Sequence, residues 1–190
     1  MERVTPRGGE HLVLRGFALT DGWYCIDLDG HEVLRYSERT VQALRSDPEA
    51  GPPHPYVFYY VVRLREDVIA LVSETMELVP EDLVDAVAAS PDRAWLDTPE
   101  ADAASTWYNA GYLSTGYLRV APSIRFWRTV VGGADTVTVA WEHEPDPEGL
   151  IEFVGPSAGQ VAMPTNEFLA AVTELDRALL AAMDQRISEL

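Results

Sequence analysis

The chain has 190 residues, with 31 acidic side chains against 14 basic ones and a formal net charge of −17. Every basic residue is an arginine, so the chain has no lysine amine for a Schiff base, a phosphate loop or general-base catalysis. A domain this acidic repels nucleic acid and anionic membranes, and it attracts basic protein surfaces. The length fits one domain over residues 1–190.

The single cysteine, Cys25, cannot form an intrachain disulfide, which favours a reducing compartment. The first residues are polar and lack the apolar run of a secretory signal. No stretch approaches the roughly 18 consecutive apolar residues of a membrane span. We therefore expect a cytoplasmic protein.

The first third of the chain is predicted to be a meander of three strands, at 12–20, 23–28 and 31–36. Asp-Gly pairs at 21–22 and 29–30 separate these apolar runs, and such pairs favour tight hairpin turns. Alternation then places Asp27 opposite Glu32 and puts one set of side chains on the core face. That set is Phe17, Leu19, Tyr24, Ile26, Leu28 and Val33.

Apolar residues at spacings of three and four predict a long amphipathic helix over 56–78. A short helix is expected at 40–45. Three more helix starts, at 80, 91 and 99, place a proline directly before an acid, which suits the positive end of the helix dipole. The predicted helices there are 80–89, 91–96 and 99–113, and Ser90 and Thr98 are the predicted caps for the last two.

Strand signals return after Gly116, and a final helix capped by Thr165 is predicted to run to the C-terminus. Gly132-Gly133 is expected to form a hairpin turn. The predicted strands are 117–120, 123–130, 136–143, 150–154 and 160–163. The order of elements predicts an α+β fold: an antiparallel sheet, from the N-terminal meander and later hairpins, packed by a long central helix, short helices and a C-terminal helix.

Two motifs invite a catalytic or metal interpretation, and neither is complete. The segment 155–159 matches G-x-S-x-G, but no helical pattern and no histidine follow it, so a turn between strands is the better interpretation. The loop 142–148 offers one imidazole and four carboxylates without a known metal-ligand spacing. We predict no cofactor, metal site or catalytic residue, and we favour a protein without enzymatic activity.

The middle of the chain has the largest excess of acidic over basic residues. From residue 66 to residue 102 it contains many acids and Arg93 as its only basic residue, and an aromatic cluster follows. Tryptophan and tyrosine combine apolar area with a polar tip and are enriched in binding hot spots. The predicted partner-binding residues are Glu74, Glu77, Glu81, Asp82, Asp85, Trp107, Tyr108 and Tyr112.

Several segments resemble an uncharacterised family of actinobacterial proteins, and together they span nearly the whole chain. They are Thr20 to Tyr24, Pro55 to Leu64, Thr115 to Leu118, Ile124 to Arg128 and the closing helix from Pro164. The resemblance implies a small bacterial cytoplasmic domain. It carries over no functional residue.

The leading hypothesis is a non-enzymatic module that binds a basic protein, in the manner of an immunity protein or antitoxin that blocks a nuclease-like active site. The alternative is a small-molecule-binding protein or enzyme with an aromatic pocket between sheet and helices, where Arg119, Arg125 and Arg128 clamp an anionic ligand. A homodimer formed through the last helix stays open as a third interpretation.

Overall fold

The computed structural model describes residues 20–44, 54–89 and 98–189. The predicted helix at 91–96, its cap Ser90 and all but the last residue of the predicted strand at 12–20 lie outside them. The strands are β1 (Asp21–Tyr24), β2 (Ile26–Leu28), β3 (His31–Val33), β4 (Val57–Tyr60), β5 (Tyr112–Leu113), β6 (Ser123–Val131), β7 (Ala134–Glu142) and β8 (Ala158–Pro164). The helices are α1 (Glu38–Ala43), α2 (Val61–Met76), α3 (Val84–Ala88), α4 (Pro99–Ala110) and α5 (Thr165–Ser188), with a 3₁₀ turn at Glu81–Leu83.

Strands β5 to β8 form a four-stranded antiparallel sheet in the order β5-β6-β7-β8. The β6–β7 hairpin turns at Gly132 and Gly133, whose φ angles of 59° and 84° lie in the left-handed region that favours glycine. The predicted turn is confirmed. The helices and antiparallel sheets together confirm the α+β fold.

Helices cover both faces of this sheet, because side chains along β6 alternate between two apolar clusters. Phe126 lies on the face of α2 and α5 and packs against Phe168, with the ring centroids 5.7 Å apart. Its neighbour Trp127 lies on the opposite face and packs against Tyr108 of α4, also at 5.7 Å. The domain is therefore layered, with α2 and α5 on one side of the sheet and α3 and α4 on the other.

Two smaller ribbons extend the structure. Strands β2 and β3 form a hairpin with Asp27 opposite Glu32, as predicted. Its turn, Asp29-Gly30, has φ angles of 53° and 83°. Strand β1 pairs with β4 instead of with the meander, and the register sets Trp23 opposite Phe58.

Two expectations for this region are wrong. Asp21-Gly22 is not a turn, since both residues pair with Tyr60 and Tyr59 in the β1–β4 ribbon. Residues 57–60 are a strand, and the long helix begins only at Val61. The run Val-Phe-Tyr-Tyr satisfies a two-residue period as well as a helical one, and aromatic residues favour the strand.

Three further boundaries differ from the prediction. Residues 117–120 are not a strand: the bond from the Leu118 N–H to the Thr115 carbonyl closes a turn over 115–118, and bends follow to residue 120. Residues 150–154 contribute only a single bridge at Phe153. Helix α4 ends at Ala110, so residues 112–113 form the short strand β5. Thr98 caps α4 as predicted, whereas Thr165 begins α5 and its hydroxyl donates to Asp135.

The connection after α2 takes the chain from one face of the sheet to the other. It runs beside β6, where Leu78 bridges Arg128 and the Val79 N–H donates to the Arg128 carbonyl at 3.1 Å. Val79 is buried in the cluster under α3 and α4, while its neighbour Leu78 is exposed. This crossing point positions the candidate site.

Candidate functional site

Five of the predicted partner-binding acids follow the crossing from α2 to α3, and all five are exposed. We call them the acidic rim: Glu74, Glu77, Glu81, Asp82 and Asp85. Beneath them, Val79, Ala86 and Val87 are buried in the apolar cluster on the α3–α4 face. The carboxylates are therefore presented by a packed backbone.

No ion pair within the described part of the chain involves the rim. The salt bridges there join arginines to acids elsewhere, such as Arg65 to Asp176 and Arg119 to Glu148. Arg128 pairs with Asp135, and its guanidinium also donates to the Met76 carbonyl beside Glu77. Among the described residues, the rim carboxylates therefore have no ion-pair partner.

Two rim acids oppose the dipole of their own helix. Glu74 lies in the last turn of α2, Glu77 is its C-cap residue, and that turn holds no basic side chain. The C-terminal end of a helix carries a partial negative charge, so carboxylates there cost free energy. The Arg128 guanidinium donates to the Met76 carbonyl at this end of α2, but neither carboxylate pairs with it among the described residues.

Of the three predicted aromatic anchors, one is buried, one is half-buried and one is exposed. Tyr108 is buried, with 6% exposed, and packs against Trp127, so it does not reach the surface. Trp107 is half-buried against the same cluster. Tyr112 is exposed, and the Arg125 guanidinium lies 5.2 Å from its ring centroid. The spacing of Ala101, Ala104 and Tyr108, all buried on α4, was the sequence signal that Tyr108 belongs to the core.

A separate groove lies at the α2 end of the acidic rim, and we call it the apolar groove. It is open, has a volume of about 500 Å³, and lies between the end of α2, the start of α5 and the β6–β7 hairpin. Its lining is Met76, Arg128, Asp135, Thr165, Asn166 and Leu169. Glu77 and exposed Leu78 follow Met76 directly in the chain, so the groove adjoins the α2 end of the acidic rim.

The three arginines of the alternative hypothesis all have partners within the chain. Arg119 pairs with Glu148 and Arg128 with Asp135, while the Arg125 Nε donates to the Asn109 side chain. An anionic ligand would have to compete with these bonds. This arrangement does not favour an arginine clamp.

A cavity of about 160 Å³ does exist, at a different place from the predicted pocket. It lies between the β2–β3 hairpin, β7 and residues 154–156, and its lining includes His31, His143 and Trp141. His143 stacks on Phe153, burial lowers its pKa, and its Nδ1 is buried without a hydrogen-bond partner. No group of three or more potential metal ligands occurs within the described residues.

The charged side chains beside this cavity form bonds with neighbouring side chains. Glu32 pairs with Arg35 and accepts a bond from the Tyr56 hydroxyl at 2.7 Å, and these two bonds lower its pKa. Burial and the neighbouring acid Glu32 raise the pKa of the Cys25 thiol, which disfavours a thiolate nucleophile. The cavity can hold a small molecule, but it shows no assembled catalytic set.

Both incomplete motifs have structural roles. Residues 155–157 lead directly into β8, so a strand and not a helix follows Ser157, as expected for a turn. In the loop 142–148, the Asp146 carboxylate accepts bonds from the backbone N–H groups of Glu148, Leu150 and Ile151. These bonds lower the pKa of Asp146 and shape the loop.

Sequence reasoning missed an exposed aromatic patch on the β1–β4 ribbon. Trp23 and Phe58 are 44% and 49% exposed, and His54 stacks on Trp23 at 4.6 Å. The alternation of residues 57–60 was the available signal. The helical residues from Val61 to Glu74 lie between this patch and the first rim acid and span about 20 Å at 1.5 Å per residue, so the two surfaces do not form one site.

The chain has an α+β fold, and its described surface carries the acidic rim beside an open groove. The model of DUF5984, a family of unknown function, matches residues 1–190, and the chain belongs to that family. No curated protein and no solved structure matches the chain. No helix among the described residues is long and apolar enough to cross a membrane.

Proposed function

We propose that this protein is a non-enzymatic protein-binding module whose acidic rim occupies a basic surface of a partner protein. The observation that carries the proposal is the set of five exposed carboxylates between residues 74 and 85, which form no ion pair among the described residues. Two of them stand where the helix dipole disfavours them. A residue placed against local stability is more readily explained by binding than by folding.

Charge of this kind acts mainly on the rate and selectivity of association. A net charge of −17 steers a basic partner toward the protein, and the acidic rim orients the encounter. The same charge disfavours nucleic acid as the partner. These properties suit an immunity-like or antitoxin-like role in a bacterial, and by resemblance actinobacterial, cytoplasm.

The test is affinity capture from the native host at about 50 mM and about 500 mM salt. The rim variant carries E77Q, E81Q, D82N and D85N. A matched control carries E142Q, E144Q, E152Q and D184N, which removes the same number of charges from exposed acids elsewhere. We expect a basic partner on the wild type and the control at low salt, with loss at high salt and on the rim variant. Equal capture by both variants, or no basic partner at all, would contradict the proposal.

Small-molecule binding is a second candidate function, favoured by the histidine-lined cavity of about 160 Å³. A ligand seated there would contact His31 and Trp141 and would raise the melting temperature of the protein. A metabolite screen by thermal shift tests this candidate. A hit whose stabilising effect persists in the H31A variant would place that ligand elsewhere.

A further inference from the structure

The floor of the apolar groove is built from a fixed network of polar groups. The Arg128 guanidinium makes two bonds to the Asp135 carboxylate, at 2.8 Å and 2.6 Å, and a third to the Met76 carbonyl. The Thr165 hydroxyl donates to the same carboxylate at 2.6 Å. The pair joins the sheet to the ends of α2 and α5, and its charges offset each other.

Apolar side chains line the groove and lie around it. Leu169 of α5 is 39% exposed, and Leu78 on the crossing segment is 47% exposed. Val130 is also exposed, and its register opposite Asp135 places it on the groove face of β6. Exposed apolar side chains grouped in a groove are typical of a protein interaction site.

The charge around the groove points to the chemistry of its occupant. The floor pair is neutral overall, whereas Glu74 and Glu77 at the α2 end are exposed and unpaired within the described residues. An occupant with apolar side chains and flanking basic residues complements both the neutral groove floor and the acidic residues at its α2 end. A second copy of this chain, at −17, would bring like charge to the rim and is disfavoured.

We propose that the groove binds a short amphipathic segment of the partner, with apolar side chains seated against Leu169 and Leu78 and with Arg or Lys beside Glu74 and Glu77. The inference rests on the proposed function and names the part of the partner that is recognised. An open groove between two helix ends suits an inserted peptide segment. Binding then combines apolar burial in the groove with electrostatic selection at the rim.

The test is selection of random short peptides displayed on phage, with the purified protein as the target. We expect enriched peptides to carry apolar residues flanked by Arg or Lys. Their affinity should fall at least about tenfold on L169S and on L78S, and also on E74Q/E77Q. L180S is the matched control, since Leu180 is an exposed leucine of α5 outside the groove lining and should leave affinity unchanged.

Three results would overturn the inference: no enrichment, enriched peptides without basic residues, or peptides that bind L169S and L78S as well as the wild type. A dimer in sedimentation that L169S dissociates would assign the groove to a second copy and would also overturn it. Thermal melts of each variant verify that the fold is kept. Since both leucines are partly exposed, at least one variant should remain folded.

The failure of this inference is distinguishable from the failure of the proposed function. If the native partner no longer binds the rim variant but still binds L169S and L78S, the proposed acidic binding module is supported and the groove inference is contradicted. If the rim variant and the groove variants all still bind the partner, both the proposed function and the groove inference are wrong. Loss on all of them is the result we expect.

Discussion

Arg128 and Asp135 form a two-bond ion pair across the β6–β7 hairpin, with Nε–Oδ1 and Nη2–Oδ2 distances of 2.8 Å and 2.6 Å. The pair also holds the Met76 carbonyl and the Thr165 hydroxyl. It therefore ties the hairpin to the end of α2 and the start of α5. These elements frame the apolar groove, so the pair sets the shape of the proposed recognition surface.

The first prediction concerns acid stability. Hydrogen bonds from Arg128 and Thr165 lower the pKa of Asp135 to about 2. The folded state thus favours the ionised carboxylate, and this stabilisation is complete above the usual value of about 3.9 and is lost as the pH falls toward about 2. We expect D135N to be less stable than the wild type at neutral pH, with a gap that closes in acid. Denaturant midpoints across this range test the prediction, and a gap independent of pH would contradict it.

The second prediction separates the stability of the rim from its binding. Removing the charge at Glu74 or Glu77 relieves an unfavourable interaction with the C-terminal end of α2. Each of E74Q and E77Q should raise the free energy of unfolding by about 0.3–1 kcal/mol at low salt while weakening partner binding. E167Q is the control, and it should lower the free energy of unfolding, because Glu167 lies in the first turn of α5, where the helix dipole favours a carboxylate. If E74Q and E77Q lowered stability at low salt, these acids would be structural.

The third prediction concerns a close approach of two backbones. A Cβ on Gly111 would lie 1.8 Å from the Phe126 carbonyl oxygen, and the Gly111 carbonyl itself accepts from the Phe126 N–H. Since backbone atoms cannot move aside cheaply, G111A should cost on the order of 1–3 kcal/mol or more. G116A, where nothing lies within 4 Å of the new Cβ, is the control and should be nearly neutral. Equal thermal melts of the two variants would contradict this packing.

The fourth prediction concerns the half-buried histidine of the cavity. Burial lowers the pKa of His143, so the folded state favours its neutral form. Stability should therefore fall as the pH drops below about 6.5, where the unfolded chain binds a proton at this site. H143F keeps the stack on Phe153 and removes the titration, so its unfolding free energy should change less between about pH 7 and pH 5. If the unfolding free energies of the wild type and H143F change equally with pH, protonation of His143 does not account for the loss of stability.

The sequence predicts best those elements that have one strong local signal. The Gly-Gly pair at 132–133 locates the β6–β7 hairpin, and the stripe through Phe168 and Leu179 locates α5. The prediction of a helix at residues 57–60 was wrong because their pattern fits a strand as well as a helix. Only the partner strand β1 decides between them, and that pairing is remote in sequence.

The candidate site was predictable in part. Exposure of the five rim acids follows from charge, since unpaired carboxylates are rarely buried. The burial of the predicted anchor Tyr108 was not foreseen, because the face of α4 that meets the sheet depends on tertiary packing, although the buried spacing of Ala104 and Tyr108 indicated it. The groove could not be predicted, because Met76, Arg128 and Leu169 meet only when α2, β6 and α5 assemble.

The measurement that tests the central claim most directly is the association rate with the captured partner as a function of salt. If the acidic rim steers a basic partner, the rate should fall at least about tenfold between about 50 mM and about 500 mM salt. The rim variant with E77Q, E81Q, D82N and D85N should show a lower rate at low salt and a shallower salt dependence than the matched control. An association rate that is insensitive to salt, or identical in the rim variant and the control, would contradict the account.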